Sequence, residues 1–196
     1  MGCREEIVVP RGLYEVIPHG LFEQREYRPT VGMLIGMNGG ILMVRSAHAD
    51  GKGLRRWWTL PQEGIIETDG TLAGAVGRGM KEELGHVPSD ATFFSARILG
   101  EMWNKVPKAR TKNGGRTKLI VFVGLRAEPF EIRLNHENLD YRIVTSFNEL
   151  DKAMEQVAEH RVYKYMCTCE AIVRACACGL LSWKLPKGLR HSMRTL

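Results

Sequence analysis

The stretch Gly64-Ile65-Ile66-Glu67-Thr68-Asp69-Gly70, continuing through Thr71-Leu72-Ala73-Gly74-Ala75-Val76-Gly77 to Arg78-Gly79-Met80-Lys81-Glu82-Glu83-Leu84-Gly85, decides how this chain is read. Leu72, Ala75, Val76, Met80 and Leu84 recur at helical spacing. Thr71 stands where a helix N-terminus needs a side-chain acceptor, and Gly85 fits the stop. Glu82 and Glu83 are neighbours on this helix and point about 100° apart, so both reach one point beside it. Arg78 precedes Glu82 by four residues, which lets its guanidinium orient that carboxylate. Hard divalent cations take several carboxylate oxygens, and Mg²⁺ keeps waters and accepts phosphate oxygens as further ligands. The residues alone leave two readings open. One is a metal–diphosphate site behind a glycine-containing loop; the other is a solvated helix face with one i,i+4 pair.

Working outward, Val31–Met37 and Ile41–Val44 are apolar runs separated by Asn38-Gly39-Gly40, a hairpin signal because both turn positions need positive φ. Trp57–Leu60 returns to β character and Pro61 ends it. Beyond the helix, Thr92–Leu99 and Leu119–Val123 read as strands joined by a polar basic loop, Asn104–Lys118. Ile132–Leu134 and Tyr141–Val144 are shorter strand candidates. Phe147, Leu150, Met154 and Val157 begin a helical pattern, and a second helix is expected from Val162 to Leu181. Mixed strands, a helix, more strands and then helices predict a single α/β or α+β domain. The expected boundaries are an N-terminal arm over 1–28, the domain over 29–183 and a basic tail over 184–196.

The quoted stretch resembles the Nudix box, G-x5-E-x7-R-E-U-x-E-E-x-G-U, where U is a bulky apolar residue. Gly64, Arg78, Met80, Glu82, Glu83 and Gly85 match in register. Tyr27-Arg28-Pro29 and Trp58-Thr59-Leu60-Pro61-Gln62-Glu63-Gly64 are similar to Nudix members acting on dinucleoside polyphosphates or on the 5′ end of RNA. The resemblance implies an α/β/α sandwich with a mixed sheet, to which the last helix is an addition. It implies Mg²⁺ or Mn²⁺ as cofactor and metal-assisted attack of water on a diphosphate linkage. Glu83 becomes a metal ligand, Glu82 a second ligand or the general base, Arg78 the residue that orients a carboxylate, and the Gly64 carbonyl a further ligand. Arg28, Gln62, Lys105 and Lys118 become candidate substrate contacts.

Three positions depart from the pattern. Gly70 stands at its first Glu, with Asp69 beside it and Glu67 close by; Gly79 stands at the Glu after the Arg; His86 takes the last apolar position. In the family the Glu at position 79 usually shares metal binding with the two glutamates after it. A carboxylate from a later strand or loop is the expected replacement, with Glu137 the candidate and Glu101 second. The alternative is a domain that binds nucleotide or RNA without cleaving it. Gly74, Gly77 and Gly79 each weaken the helix by up to about 1 kcal/mol relative to Ala, a cost that close packing or backbone approach would justify.

Composition agrees with these readings. At 196 residues, one domain is expected. Hydrophobic residues at 44% and charged residues at 26% exclude a largely disordered or fibrous chain. Lys and Arg number 28 against 22 Asp and Glu, a net charge of +6, which favours an anionic partner. The partner expected is a phosphate-rich nucleotide or an RNA 5′ end, with no membrane; a homodimer is also admitted. No signal-peptide core follows Met1, Gly2 lacks a myristoylation context because the sixth residue is Glu6, and the five cysteines are an odd number, so a cytoplasmic chain with reduced thiols is expected. Cys167, Cys169, Cys176 and Cys178 form C-x-C pairs in a helical pattern, too divergent to share a zinc ion, and read as core residues.

Overall fold

The computed structural model describes residues 27–46, 58–87, 93–105, 117–154 and 162–186, of which 27–28, 93–105, 117–119 and 162–164 are described by their backbone. In chain order the elements are β1 (Tyr27–Met37), β2 (Gly40–Ser46), β3 (Trp58–Thr59), β4 (Gln62–Gly64), a 3₁₀ turn (Glu67–Asp69), α1 (Leu72–Leu84), β5 (Phe93–Lys105), β6 (Thr117–Ala127), β7 (Asn138–Val144), α2 (Phe147–Met154) and α3 (Val162–Ala177). Residues 1–26 of the expected arm, 106–116 of the expected loop, Val157 and 187–196 of the expected tail lie outside the described residues.

The strands form one mixed sheet in the order β3-β2-β1-β6-β5, with β4 also paired to β1 and β7 to β2. β1 and β6 are parallel, and the other pairs are antiparallel. Asn38 and Gly39 take φ of 51° and 75°, the two positive values a tight hairpin turn requires. Alternation along the strands then sends side chains to two cores. Val31, Met33 and Ile35 of β1 and Val121, Val123 and Leu125 of β6 pack with Leu72, Val76, Met80 and Leu84 of α1. Leu34, Ile41, Met43, Ile120 and Phe122 pack with Phe147 and Leu150 of α2 and with Cys167, Cys169 and Ile172 of α3. The result is the expected α/β/α sandwich.

Several boundaries differ from the sequence reading. β1 already pairs with β6 at Tyr27 and Arg28, opposite Thr117 and Lys118. β5 runs on to Lys105, because its polar end ladders against β6. Gln62–Gly64, read as lying beyond a strand end, form β4 by pairing with Thr30–Gly32. Ile132–Leu134 are not a strand; the Arg133 amide donates to the Leu84 carbonyl at 2.8 Å while Ile132 and Leu134 pack on the α1 core. α3 stops at Ala177 rather than Leu181, because Leu180 and Leu181 donate back to the Ala175 carbonyl across Gly179, whose φ is 78°. Cys167 and Cys169 are core residues as expected, and burial pushes the Cys169 thiol up to about 11. No helix among the described residues is long and apolar enough to cross a membrane.

The helix that carries the conspicuous acids is held at both ends. Thr71 Oγ1 accepts the Gly74 amide at 3.0 Å, and Gly85, at φ 64°, donates to the Lys81 carbonyl. Thr71→Ala removes that acceptor and is expected to cost about 1 kcal/mol, read as a lower urea midpoint with an unchanged m-value.

Candidate active site

Arg78 is the hub of the site. Its Nε donates to Asp69 Oδ1 at 2.8 Å and its Nη2 to Asp69 Oδ2 at 3.1 Å, a bidentate pair. Nη2 also donates to the Gly64 carbonyl. Nη1 reaches Glu82 Oε2 at 3.1 Å and Glu63 Oε1 at 3.3 Å. The Asp69 side chain is 3% exposed, and its carboxylate also accepts the Ile66 amide at 2.9 Å. This pair raises the Arg78 guanidinium above its ordinary value. Arg78 therefore clamps the β4 end, the 3₁₀ turn and α1 together. The Glu82 contact expected from spacing is present, but Asp69 is the main partner.

Two of the helix glycines, Gly74 and Gly79, have a steric reason. A Cβ on Gly74 would lie 2.2 Å from the Asp69 carbonyl oxygen, so the turn carrying Asp69 closes on the helix only over glycine. A Cβ on Gly79 would lie 2.8 Å from the Glu63 Cβ and 3.1 Å from the Met33 Cε. Gly70 sits at φ 66°, a left-handed backbone that a glutamate would adopt only with strain. Asp69, one residue earlier, supplies the carboxylate for Arg78.

Glu83 lies deeper, at 6% exposure. Its Oε2 accepts from Asn138 Nδ2 at 2.8 Å. Its Oε1 accepts no hydrogen bond among the described residues. Burial raises the Glu83 carboxyl to about 7; the Asn138 bond opposes this, and the charges of Glu63, Glu137 and Glu82 add to the rise. Three other carboxylates therefore bear on the buried Glu83 carboxyl. Glu137, predicted as the extra acid, is exposed on the turn before β7 and acts on Glu83. Glu101 occupies the register row of Val121, Val31 and Glu63. At about 4.8 Å per strand its backbone is roughly 14 Å from that of Glu63.

The backbones of Arg28, Lys105 and Lys118 meet at one end of the sheet. Arg28 is opposite Lys118, and Lys105 is opposite Thr117. Gln62 pairs with Gly32, and the Ile65 amide donates to the Pro29 carbonyl at 3.0 Å, so the start of the acid-bearing segment adjoins this end. The side chains of Arg28, Lys105 and Lys118 lie outside the described residues. Trp58 is buried beneath the Arg142 guanidinium, 3.7 Å from the ring centroid.

The NUDIX-domain family model matches residues 26–166, well over half of the 196 residues. The chain belongs to the Nudix family. Its members generally hydrolyse pyrophosphate linkages in nucleoside diphosphate derivatives and generally use divalent metal ions. The Nudix fold is similar to that of a NUDIX hydrolase from Nitrosomonas europaea, with a TM-score of 0.52 and 17% identity over 73% of this chain and 86% of that one. The dihydroneopterin triphosphate pyrophosphohydrolase of E. coli matches with a TM-score of 0.51 and 14% identity, over 69% of this chain and 92% of that one. A MutT NUDIX hydrolase from Burkholderia pseudomallei matches with a TM-score of 0.50 and 20% identity, over 71% and 96%. Among curated protein sequences none matches significantly.

Within this Nudix site, two residues escaped the sequence reading. Asn138 follows Glu137 and holds Glu83 in place, a role visible only once β7 is folded beside α1. Glu63 precedes the first matched glycine, and its only sequence signal was its charge. Among the described residues no three of His, Cys, Asp and Glu gather closely enough to enclose a metal by themselves. The donors are nonetheless hard carboxylate oxygens, and those of nearly buried Glu83 are crowded by like charge. That set suits a cation that keeps its own waters, as Mg²⁺ does.

Proposed function

We propose that this Nudix protein hydrolyses a diphosphate linkage in a nucleoside-diphosphate-linked substrate, with Mg²⁺ or Mn²⁺. The observation that carries the reading is Glu83: a nearly buried carboxylate, oriented by Asn138, with three acidic neighbours. An arrangement of that kind is unfavourable until a cation enters it. When bound, a divalent cation neutralises phosphate charge and acidifies a water. Glu83, Glu82 and Glu137 are the residues that would hold it.

The chain's own groups then divide the work. Glu82, whose side chain is 50% exposed, is assigned as second ligand or as the base that takes the proton of the attacking water. Arg78 keeps Glu82 aimed and fixes Asp69 beneath it. The Gly64 carbonyl already accepts from Arg78, so its remaining lone pair is what it offers as a ligand. Arg28, Lys118 and Lys105, with Gln62, are the residues assigned to a basic rim for the substrate phosphates. That basic rim favours a phosphate-rich substrate, either a dinucleoside polyphosphate or a triphosphorylated RNA 5′ end.

Phosphate release measured across nucleoside triphosphates, nucleoside diphosphate sugars, dinucleoside polyphosphates and triphosphorylated RNA, with and without Mg²⁺, tests this. Mg²⁺-dependent turnover is expected to be fastest on the last two. Tight nucleotide or RNA binding with no turnover anywhere on the panel would identify a non-catalytic module, the reading that Gly79 favours.

A further inference from the structure

Position 79 lies one helical turn before Glu83 and on the same face of α1. The volume that a side chain at 79 would enter is already filled. A Cβ there would meet the Glu63 Cβ at 2.8 Å and the Glu63 Cγ at 3.4 Å. Glu63 thus reaches from β4 across the helix face that presents Glu83. One of its oxygens, Oε1, is fixed by the Gly64 amide at 2.7 Å and by Arg78 Nη1 at 3.3 Å. The other, Oε2, accepts no hydrogen bond among the described residues. A carboxylate anchored by one oxygen and open at the other is preorganised to ligate. On the same helix face lies nearly buried Glu83, held by Asn138 through Oε2 at 2.8 Å.

We propose that Glu63 supplies the cation-facing carboxylate that position 79 no longer carries, delivered from the strand instead of the helix. This rests on the metal-site reading above and adds to it a ligand outside the matched pattern. It also explains why glycine is required at 79: the two side chains cannot occupy the same space.

The test is Mn²⁺ binding to the metal-free full chain, followed by titration calorimetry and by loss of the free-ion EPR signal. Glu63→Gln keeps an oxygen for Gly64 and Arg78, so the anchor survives while the free carboxylate charge goes. Mn²⁺ affinity is expected to fall by about 10- to 100-fold, with little change in urea midpoint. The double variant Glu63→Gly, Gly79→Glu returns the carboxylate from the helix side and is expected to recover much of the lost affinity. If Glu63→Gln binds Mn²⁺ like the wild type while Glu83→Gln does not, Glu63 is only a structural partner of Arg78 and the proposal falls, with the site itself intact. If the wild type binds no Mn²⁺, the metal-site reading beneath the proposal falls with it.

Discussion

Arg78→Ala is expected to cost the fold about 3–5 kcal/mol, the penalty for leaving a buried partner charge uncompensated. Asp69 is that partner: its side chain is 3% exposed and gives both carboxylate oxygens to Arg78. The loss also frees the Gly64 carbonyl, Glu63 and Glu82, which belong to β4 and α1. Against a total stability of about 5–15 kcal/mol, this is enough to leave much of the protein unfolded at moderate urea. Arg78→Lys retains the charge but not the two parallel donors, and is expected to recover only part of the loss. Urea unfolding of the three proteins reads the result directly. A midpoint for Arg78→Ala within the range of a surface substitution would show that the clamp is not structural.

Glu83→Gln is expected to move stability and activity in opposite directions. The native Glu83 carboxyl titrates at about 7, against an ordinary 4.5, chiefly because it is buried. The native state therefore holds a proton that the unfolded chain releases earlier. Its favourable contribution is complete below about pH 4.5 and is lost as pH rises toward 7. In the metal-free protein this amounts to about 3 kcal/mol. Glutamine keeps an acceptor for Asn138 and carries no charge beside Glu63, Glu137 and Glu82, so the variant should be more stable than the wild type at pH 8 and nearly equal to it at pH 4.5. Phosphate release should meanwhile drop about 100-fold or more, since a ligand is gone. Equal stability of the two proteins at both pH values would contradict the buried-charge account.

Much of this was legible because it is local. Thr71 and Gly85 cap α1 by rules that involve a few neighbouring residues, and Asn38-Gly39 closes its hairpin for the same reason. The core strands announced themselves through continuous apolar runs, as strands covered on both faces do. What failed depends on tertiary pairing. β4 is three residues long and exists because β1 offers it an edge. Ile132–Leu134 have a strand's apolar spacing but meet α1 through a single backbone bond, Arg133 to Leu84. In the site, the order Arg78, Glu82 and Glu83 followed from helical spacing, and Glu137 was chosen as an acid on a later turn. Asp69 was noticed beside Gly70, but its bidentate grip on Arg78 needed the turn to fold back. Glu63 was invisible as a partner of Gly79, because sixteen residues and a turn separate two atoms that pack together.

Glu82 and Glu83 are the acids proposed to run diphosphate hydrolysis. The most direct test of that role compares phosphate release by the wild type and the Glu82→Gln, Glu83→Gln double variant on the nucleotide panel in Mg²⁺. Mg²⁺-dependent release above background is expected for the wild type, and background release for the folded double variant. Identical rates for the two proteins, whether both at background or both active, would contradict it.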